Sequence, residues 1–155
     1  MILENGFKLR QPSGESEWSD YYRIRYEVLR QPWGQTFDST KDEFEECSFH
    51  LLLTDPQEKP AGAGRLQFNS PVQGQIRSMA IREDLRGSGW GRKVLLRLEQ
   101  EAILKGFSEI ILDAREGAVR FYLNAGYEIT GDSYLLFGVI PHKAMRKKLK
   151  SDSGL

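Results

Sequence analysis

Residues 75–91 impose the strongest constraint on how this chain can fold. An apolar strand over 75–81 runs through a short connector into the turn Arg86-Gly87-Ser88-Gly89-Trp90-Gly91, and a helix follows to about Lys105. Glycines allow backbone angles that aim successive N–H groups inward, and they leave no side chain in the way of an anion. The N-terminus of the following helix adds partial positive charge at the same place. Arg86 and Arg92 flank it. The arrangement suits a phosphate, although a glycine-rich turn that binds nothing is the plain alternative.

Two familiar phosphate loops fail on spacing. A P-loop counted from Gly87 meets Arg92 where its second glycine belongs. A Rossmann turn requires its glycines directly after the strand, but residues 82–86 intervene. What remains is R-x-x-G-x-G, read at Arg86, Gly89 and Gly91. In the strand before it, apolar Ile76 and Met79 have opposite parity, so the alternation slips near Arg77-Ser78. A β-bulge accounts for the slip, and bulges cluster beside active sites. A strand buried on both faces accounts for it equally well.

The rest of the pattern gives one domain over residues 1–155, a size that buries a core without staples. Strands are predicted at 7–9, 48–54, 61–68, 75–81, 109–113, 127–130 and 143–149. The first helix is capped by Ser16 or Ser19 and stopped by Gln31-Pro32-Trp33-Gly34. The second carries the stripe Val94, Leu95, Leu98 and Ala102, closed by Gly106; a short third covers 118–124. Strands interspersed with helices imply a mixed sheet with helices packed on it. Basic and acidic residues balance at 22 each, so there is no cationic surplus for nucleic acid. The N-terminus has no signal-peptide pattern, and no apolar run approaches the ~20 residues that span a bilayer. With Cys47 the lone cysteine, a soluble cytoplasmic protein is expected, with no membrane partner.

Residues 75–127, about a third of the chain, resemble the GNAT superfamily of N-acetyltransferases. The likeness rests on Ser78-Met79-Ala80-Ile81, the glycine turn, Ile110-Ile111-Leu112, and the segment Ala118-Val119-Arg120-Phe121-Tyr122-Leu123-Asn124-Ala125-Gly126-Tyr127. A looser resemblance to the ElaA-like branch rests on residues 23–30 and on Ile140-Pro141-His142 with Met145; residues 31–37 depart from it. The resemblance implies an α/β fold: a mixed, mostly antiparallel sheet with helices on both faces, whose fourth and fifth strands are parallel and splay apart. It implies acetyl-CoA as cosubstrate and no metal. The pantetheine arm would lie along Met79, Ala80 and Ile81 like an added strand. The diphosphate would sit on the amides of Arg86, Gly87, Ser88, Gly89, Trp90, Gly91 and Arg92. Where many members carry asparagine this chain has Arg115, which could reach a phosphate.

The reaction so implied is attack of an amine on a thioester. It needs a base, an oxyanion donor and an acid for the leaving sulfur. Tyr122 matches the family's general acid, and a main-chain N–H of Met79 or Ile81 its oxyanion donor. The base stays open among Asp113, His142, an acidic residue of 38–46, and water. The acidic stretch Asp38, Asp42, Glu43, Glu45 and Glu46, against Lys41 alone, either attracts a cationic amine or is a solvated loop. Trp33 and Phe37 either wall an acceptor pocket or belong to the core. His50 is expected to be packed, Cys47 to be buried, and the basic residues of 143–150 to guard a sheet edge. The acceptor, a small molecule or peptide amine, is left unnamed, and a homodimer is left open. A non-catalytic acyl-CoA sensor is the other function class.

Overall fold

The computed structural model describes residues 1–150. Its strands are β1 (Ile2–Glu4), β2 (Phe7–Arg10), β3 (Ser48–Thr54), β4 (Pro60–Phe68), β5 (Gln73–Ile81), β6 (Glu109–Arg115), β7 (Glu128–Leu136) and β8 (Ile140–Lys148). Its α-helices are α1 (Gly14–Leu29), α2 (Trp90–Leu104) and α3 (Val119–Asn124). The strands form one sheet in the order β1-β2-β3-β4-β5-β6-β8-β7. Every neighbouring pair is antiparallel except β5 and β6. The splayed parallel pair is therefore present, one number later than the resemblance implied, because β1 adds a strand. Its hairpin turns at Asn5 (φ 53°) and Gly6 (φ 83°), an Asn-Gly pair of the kind favoured in two-residue hairpin loops.

Helices cover both faces. On one, Val94, Leu95, Leu98 and Ala102 of α2 are buried against Leu51, Leu53, Leu66, Ile76 and Ile110, and Tyr122 and Tyr127 complete the cluster. On the other, Tyr21 and Ile24 of α1 cover Leu52, Ala63 and Ala80. The stripe of α2 lies as its periodicity predicted. Gly106 ends that helix at φ 84°, with its N–H on Ile103 O and the Phe107 N–H on Ala102 O, both 3.0 Å. This is the Schellman closure that favours glycine. Gly126 (φ 94°) ends α3 the same way, with the Tyr127 N–H on Tyr122 O at 3.0 Å. The spacing from Tyr122 to Tyr127 is thus set by helix termination.

Four expectations are corrected. The first helix begins at Gly14, before either serine cap, with Ser13 at the N-cap and its N–H satisfied by Glu17 Oε1 at 3.0 Å, one turn into the helix. β8 is not an edge strand: it lies between β6 and β7, and its Lys143, Arg146 and Lys147 pair with Asp132, Glu128 and Glu99. Cys47 is exposed, since the turn Glu45–Cys47 runs over the surface before β3 enters the sheet. Trp33 and Phe37 are each 44% exposed, so neither joins the core, and neither lines the main cleft. Among the described residues no helix is long and apolar enough to cross a membrane.

Candidate active site

The parallel pair is joined only at Gln73–Gln75 against Glu109–Ile111. Beyond that the strands part, and a cleft of about 230 Å³ opens between them. The slip foreseen at Arg77-Ser78 is a bulge: Ala63 faces Ala80 and Arg65 faces Arg77, so Gly64 stands opposite both Ser78 and Met79. Ser78 takes φ 56°, rare for a residue with a side chain. α2 lies close over this point. A Cβ on Gly64 would come within 2.8 Å of Val94 Cγ1 and 3.1 Å of Met79 Sδ, so only glycine fits.

The direction of the β5 main chain follows from one bond. The Arg82 N–H donates to Ala61 O at 2.9 Å, which turns Ala80 and Arg82 toward β4. By alternation the N–H and C=O of Met79 and Ile81 turn toward the gap, where β6 has already diverged. Ala80 instead buries its side chain beneath α1.

At the far end of β5 the glycine turn takes φ 82° at Gly87 and 94° at Gly89, and a Cβ at either would meet nothing within 4 Å. These glycines are needed for backbone angle, and the space in front of them is open. Ser88 Oγ donates to Leu85 O and accepts the Trp90 N–H at 3.4 Å. The Trp90 ring packs on Phe7, centroids 5.0 Å apart. Serine and tryptophan therefore brace the turn, while the amides of Gly87, Gly89, Gly91 and Arg92 have no acceptor among the described residues. Arg86 is exposed, and Arg92 Nη1 donates to Asn124 O at 3.2 Å. Free amides at a helix N-terminus fit a diphosphate.

Tyr122 lines the cleft from α3. Its ring is held between Phe121 and Tyr127, and burial pushes its phenol well above the ordinary range. It stays a neutral O–H donor. Asp113 and His142 line the same cleft. Asp113 Oδ1 accepts Ser133 Oγ–H at 2.7 Å. His142 Nδ1 lies 2.9 Å from Ile140 O, and a carbonyl only accepts, so Nδ1 carries the proton. The ring stacks on Tyr134 at 4.7 Å, and in this tautomer Nε2 is a free acceptor.

Under α1 lies a buried polar network that the sequence reading did not foresee. Arg25 Nη1 donates to Glu45 Oε1 at 2.6 Å and Arg25 Nη2 to Thr40 O at 2.6 Å. Arg65, whose side chain is fully buried, pairs with Glu45 and with Asp42 Oδ2, the latter at 2.9 Å. Both carboxyls stay below their usual range because these arginine bonds outweigh desolvation. His50 is packed as expected: Nε2–H donates to Glu45 O at 2.7 Å, and Nδ1 accepts the Tyr21 hydroxyl at 2.6 Å. Burial holds its imidazole below the ordinary value. Two members of the acidic stretch, half-buried Glu45 and the more exposed Asp42, are thus already paired with arginines and not free to hold an amine. The signal was available in β4, where Arg65 stands among Ala61, Gly62, Ala63, Gly64 and Leu66 and, once that strand is placed inside the sheet, requires a partner. Arg115 lines the cleft, with Nη2 on Leu29 O at 3.1 Å. Arg30 and Arg77 line the same cleft and were not anticipated.

A model of the acetyltransferase (GNAT) family matches residues 15–127. An uncharacterized N-acetyltransferase of Bacillus subtilis, YjcF, is 32% identical over 133 residues, covering 86% of this chain and 94% of its own. The solved structure of Escherichia coli ElaA superposes with a TM-score of 0.77 at 16% identity, covering 91% of this chain and 97% of its own. A GNAT family acetyltransferase from Elizabethkingia anophelis, with acetyl-CoA bound, superposes with a TM-score of 0.71 at 12% identity, covering 94% of this chain and all of its own.

Proposed function

The chain belongs to the GNAT family of acetyltransferases, and from that premise we propose that it acetylates an amine with acetyl-CoA by direct attack on the thioester. One observation carries the reading: the gap beyond Gln75 and Ile111 has strand-like main-chain groups on one wall, unused amides at one end and Tyr122 beside it. The residues fit the cosubstrate at each part. The turn from Gly87 to Arg92 takes the diphosphate, and the Met79 C=O with the N–H and C=O of Ile81 take the pantetheine amides as an added strand would, leaving the Met79 N–H for the thioester. Acetyl-CoA supplies an activated acyl carbon, whose C–S bond is exchanged for C–N.

The protein's own groups then handle charge and protons. The Met79 N–H, next to the bulge, faces the position where the carbonyl oxygen gains charge. His142 Nε2 accepts the proton that the amine nitrogen loses, while Nδ1–H stays on Ile140 O. Tyr122 O–H gives its proton to the departing sulfur, and burial keeps that proton in place at neutral pH. Asp113 stands by the same wall as a second polar group toward the amine.

Calorimetry with CoA and a thiol-release assay over a panel of amines test this together. Saturable CoA binding and amine-dependent thiol release support the reading. Tight binding with no release above hydrolysis would replace it with a non-catalytic acyl-CoA sensor. Absence of binding would remove both.

A further inference from the structure

We propose that the acceptor amine carries an anionic group, a carboxylate or a phosphate, and that Arg30, Arg77 and Arg115 hold that group. This deepens the reading above and rests on it for the reaction, though not for the binding.

The three guanidiniums line the cleft, Arg30 from the end of α1, Arg77 from β5 and Arg115 from β6. None takes part in an ion pair among the described residues. What they do bond is main chain. Arg30 Nε donates to Ser39 O at 3.2 Å, and its Nη1 to Leu29 O at 3.4 Å. Arg115 Nη2 shares Leu29 O. Tying down Leu29 O at the end of α1 and Ser39 O in the loop that follows accounts for those contacts, but it leaves most of the five N–H donors of each guanidinium over. It accounts for nothing at Arg77, which has no hydrogen bond among the side-chain contacts described. Arg30 and Arg115 are both held below the ordinary guanidinium range, chiefly by burial; Arg115, Arg25 and Arg77 press on Arg30 in the same direction, and Arg86 presses on Arg115. Three like charges gathered in a half-buried cleft are a standing cost unless an anion joins them.

The chain's own carboxylates supply it only in part. Asp42 reaches the cleft and its charge is felt at Arg77, but both its oxygens accept from Arg65. Asp113 is engaged by Ser133 and stands alone against three cations. The glycine turn does not line this cleft; Arg115, which feels Arg86 of that turn, stands nearest the cosubstrate's phosphates, and Arg30 and Arg77 face the acceptor side. Asp42 and Glu45 are taken up by Arg25 and Arg65, while Arg30, Arg77 and Arg115 bring three positive charges to the cleft, which favours an anionic acceptor over the cationic amine that residues 38–46 would draw. Planar guanidiniums favour oxyanions that accept two bonds at once. An amine tethered to such a group would place its nitrogen toward His142 and Asp113.

The test uses matched acceptors with acetyl-CoA: glycine against glycinamide, phosphoethanolamine against ethanolamine, and putrescine as the cationic control. We expect kcat/KM to be at least about tenfold higher for the anionic member of one pair. Which pair responds distinguishes carboxylate from phosphate. In Arg77→Gln that preference should collapse toward one. Equal or better use of the neutral or cationic amines overturns the proposal while leaving acetyl transfer intact. If no amine is acetylated, calorimetry with N-acetylglycine and N-acetylglycinamide decides. Saturable binding at least about fivefold tighter for the acid, weakened in Arg77→Gln, supports the site even with the enzyme reading lost. Equal affinity, or saturation with neither, overturns it.

Discussion

The face of the sheet beneath α2 is closed by aliphatic and aromatic side chains, whereas the face beneath α1 is closed in part by two buried arginines and two carboxylates. Apolar packing is non-directional and tolerates small adjustments. A buried ion network tolerates none, because removing one member leaves its partners charged and desolvated. The difference divides the labour at the cleft. The apolar side fixes the bulge and the glycine turn, where main chain meets cosubstrate. The ionic side fixes residues 38–46 as the wall that an acceptor meets.

The largest effect should come from breaking that network. Arg65→Ala takes both arginine bonds from Asp42 and one from Glu45, which keeps only Arg25, and empties a fully buried site; it should lower stability by about 3–5 kcal/mol in urea titration. Leu98→Ala on the opposite face should cost a similar ~2–5 kcal/mol, yet leave KM for the acceptor unchanged, whereas Arg65→Ala should raise it. Equal effects of the two on KM would erase the division. The network also predicts a pH signature. The Glu45 and Asp42 carboxyls titrate below their ordinary values in the folded chain, so their stabilisation is present above about pH 4 and is lost as pH falls through the folded values. Glu45→Gln should therefore show a shallower loss of stability than the parent between about pH 5 and pH 3.

The next effect is chemical. Tyr122→Phe removes one hydroxyl from a ring held by Phe121 and Tyr127. It should lower kcat about tenfold or more while CoA affinity scarcely changes. Unchanged kcat under conditions where chemistry limits turnover would assign the ring to packing alone.

The two sides also differed in how readable they were. The cosubstrate half was legible because its geometry is carried by backbone angles that glycine marks: Gly87 and Gly89 in the turn, and Gly126 closing α3 beneath Tyr122. The bulge showed as a broken alternation in a single strand. The acceptor half was illegible because it is built from pairs distant in sequence. Arg25, Glu45 and Arg65 meet only once α1, the surface turn and β4 are stacked, and a run of acidic residues looks the same whether solvated or paired. Arg30, Arg77 and Arg115 likewise lie on three separate elements. Placing β8 at an edge failed for the same reason: strand order is a property of the whole sheet, and β7 passes outside β8 only through their hairpin.

The smallest effects come from comparing glycines within the turn itself. Gly89 sits at φ 94° with open space before it, so Gly89→Ala should meet no clash, yet carry about 1–2 kcal/mol of backbone strain. CoA affinity should fall with the turn's geometry. Gly91 lies in the first turn of α2 without a positive φ, and its Cβ would touch Ile81 and Phe121 at 3.6 Å, an ordinary contact. Gly91→Ala should instead raise thermal stability slightly, by about 0.5–1 kcal/mol, because alanine loses less freedom in a helix. If both substitutions destabilised alike, the turn would be a packed element. Opposite signs would mark Gly89 as the residue whose backbone angle, and not its size, holds the anion site open.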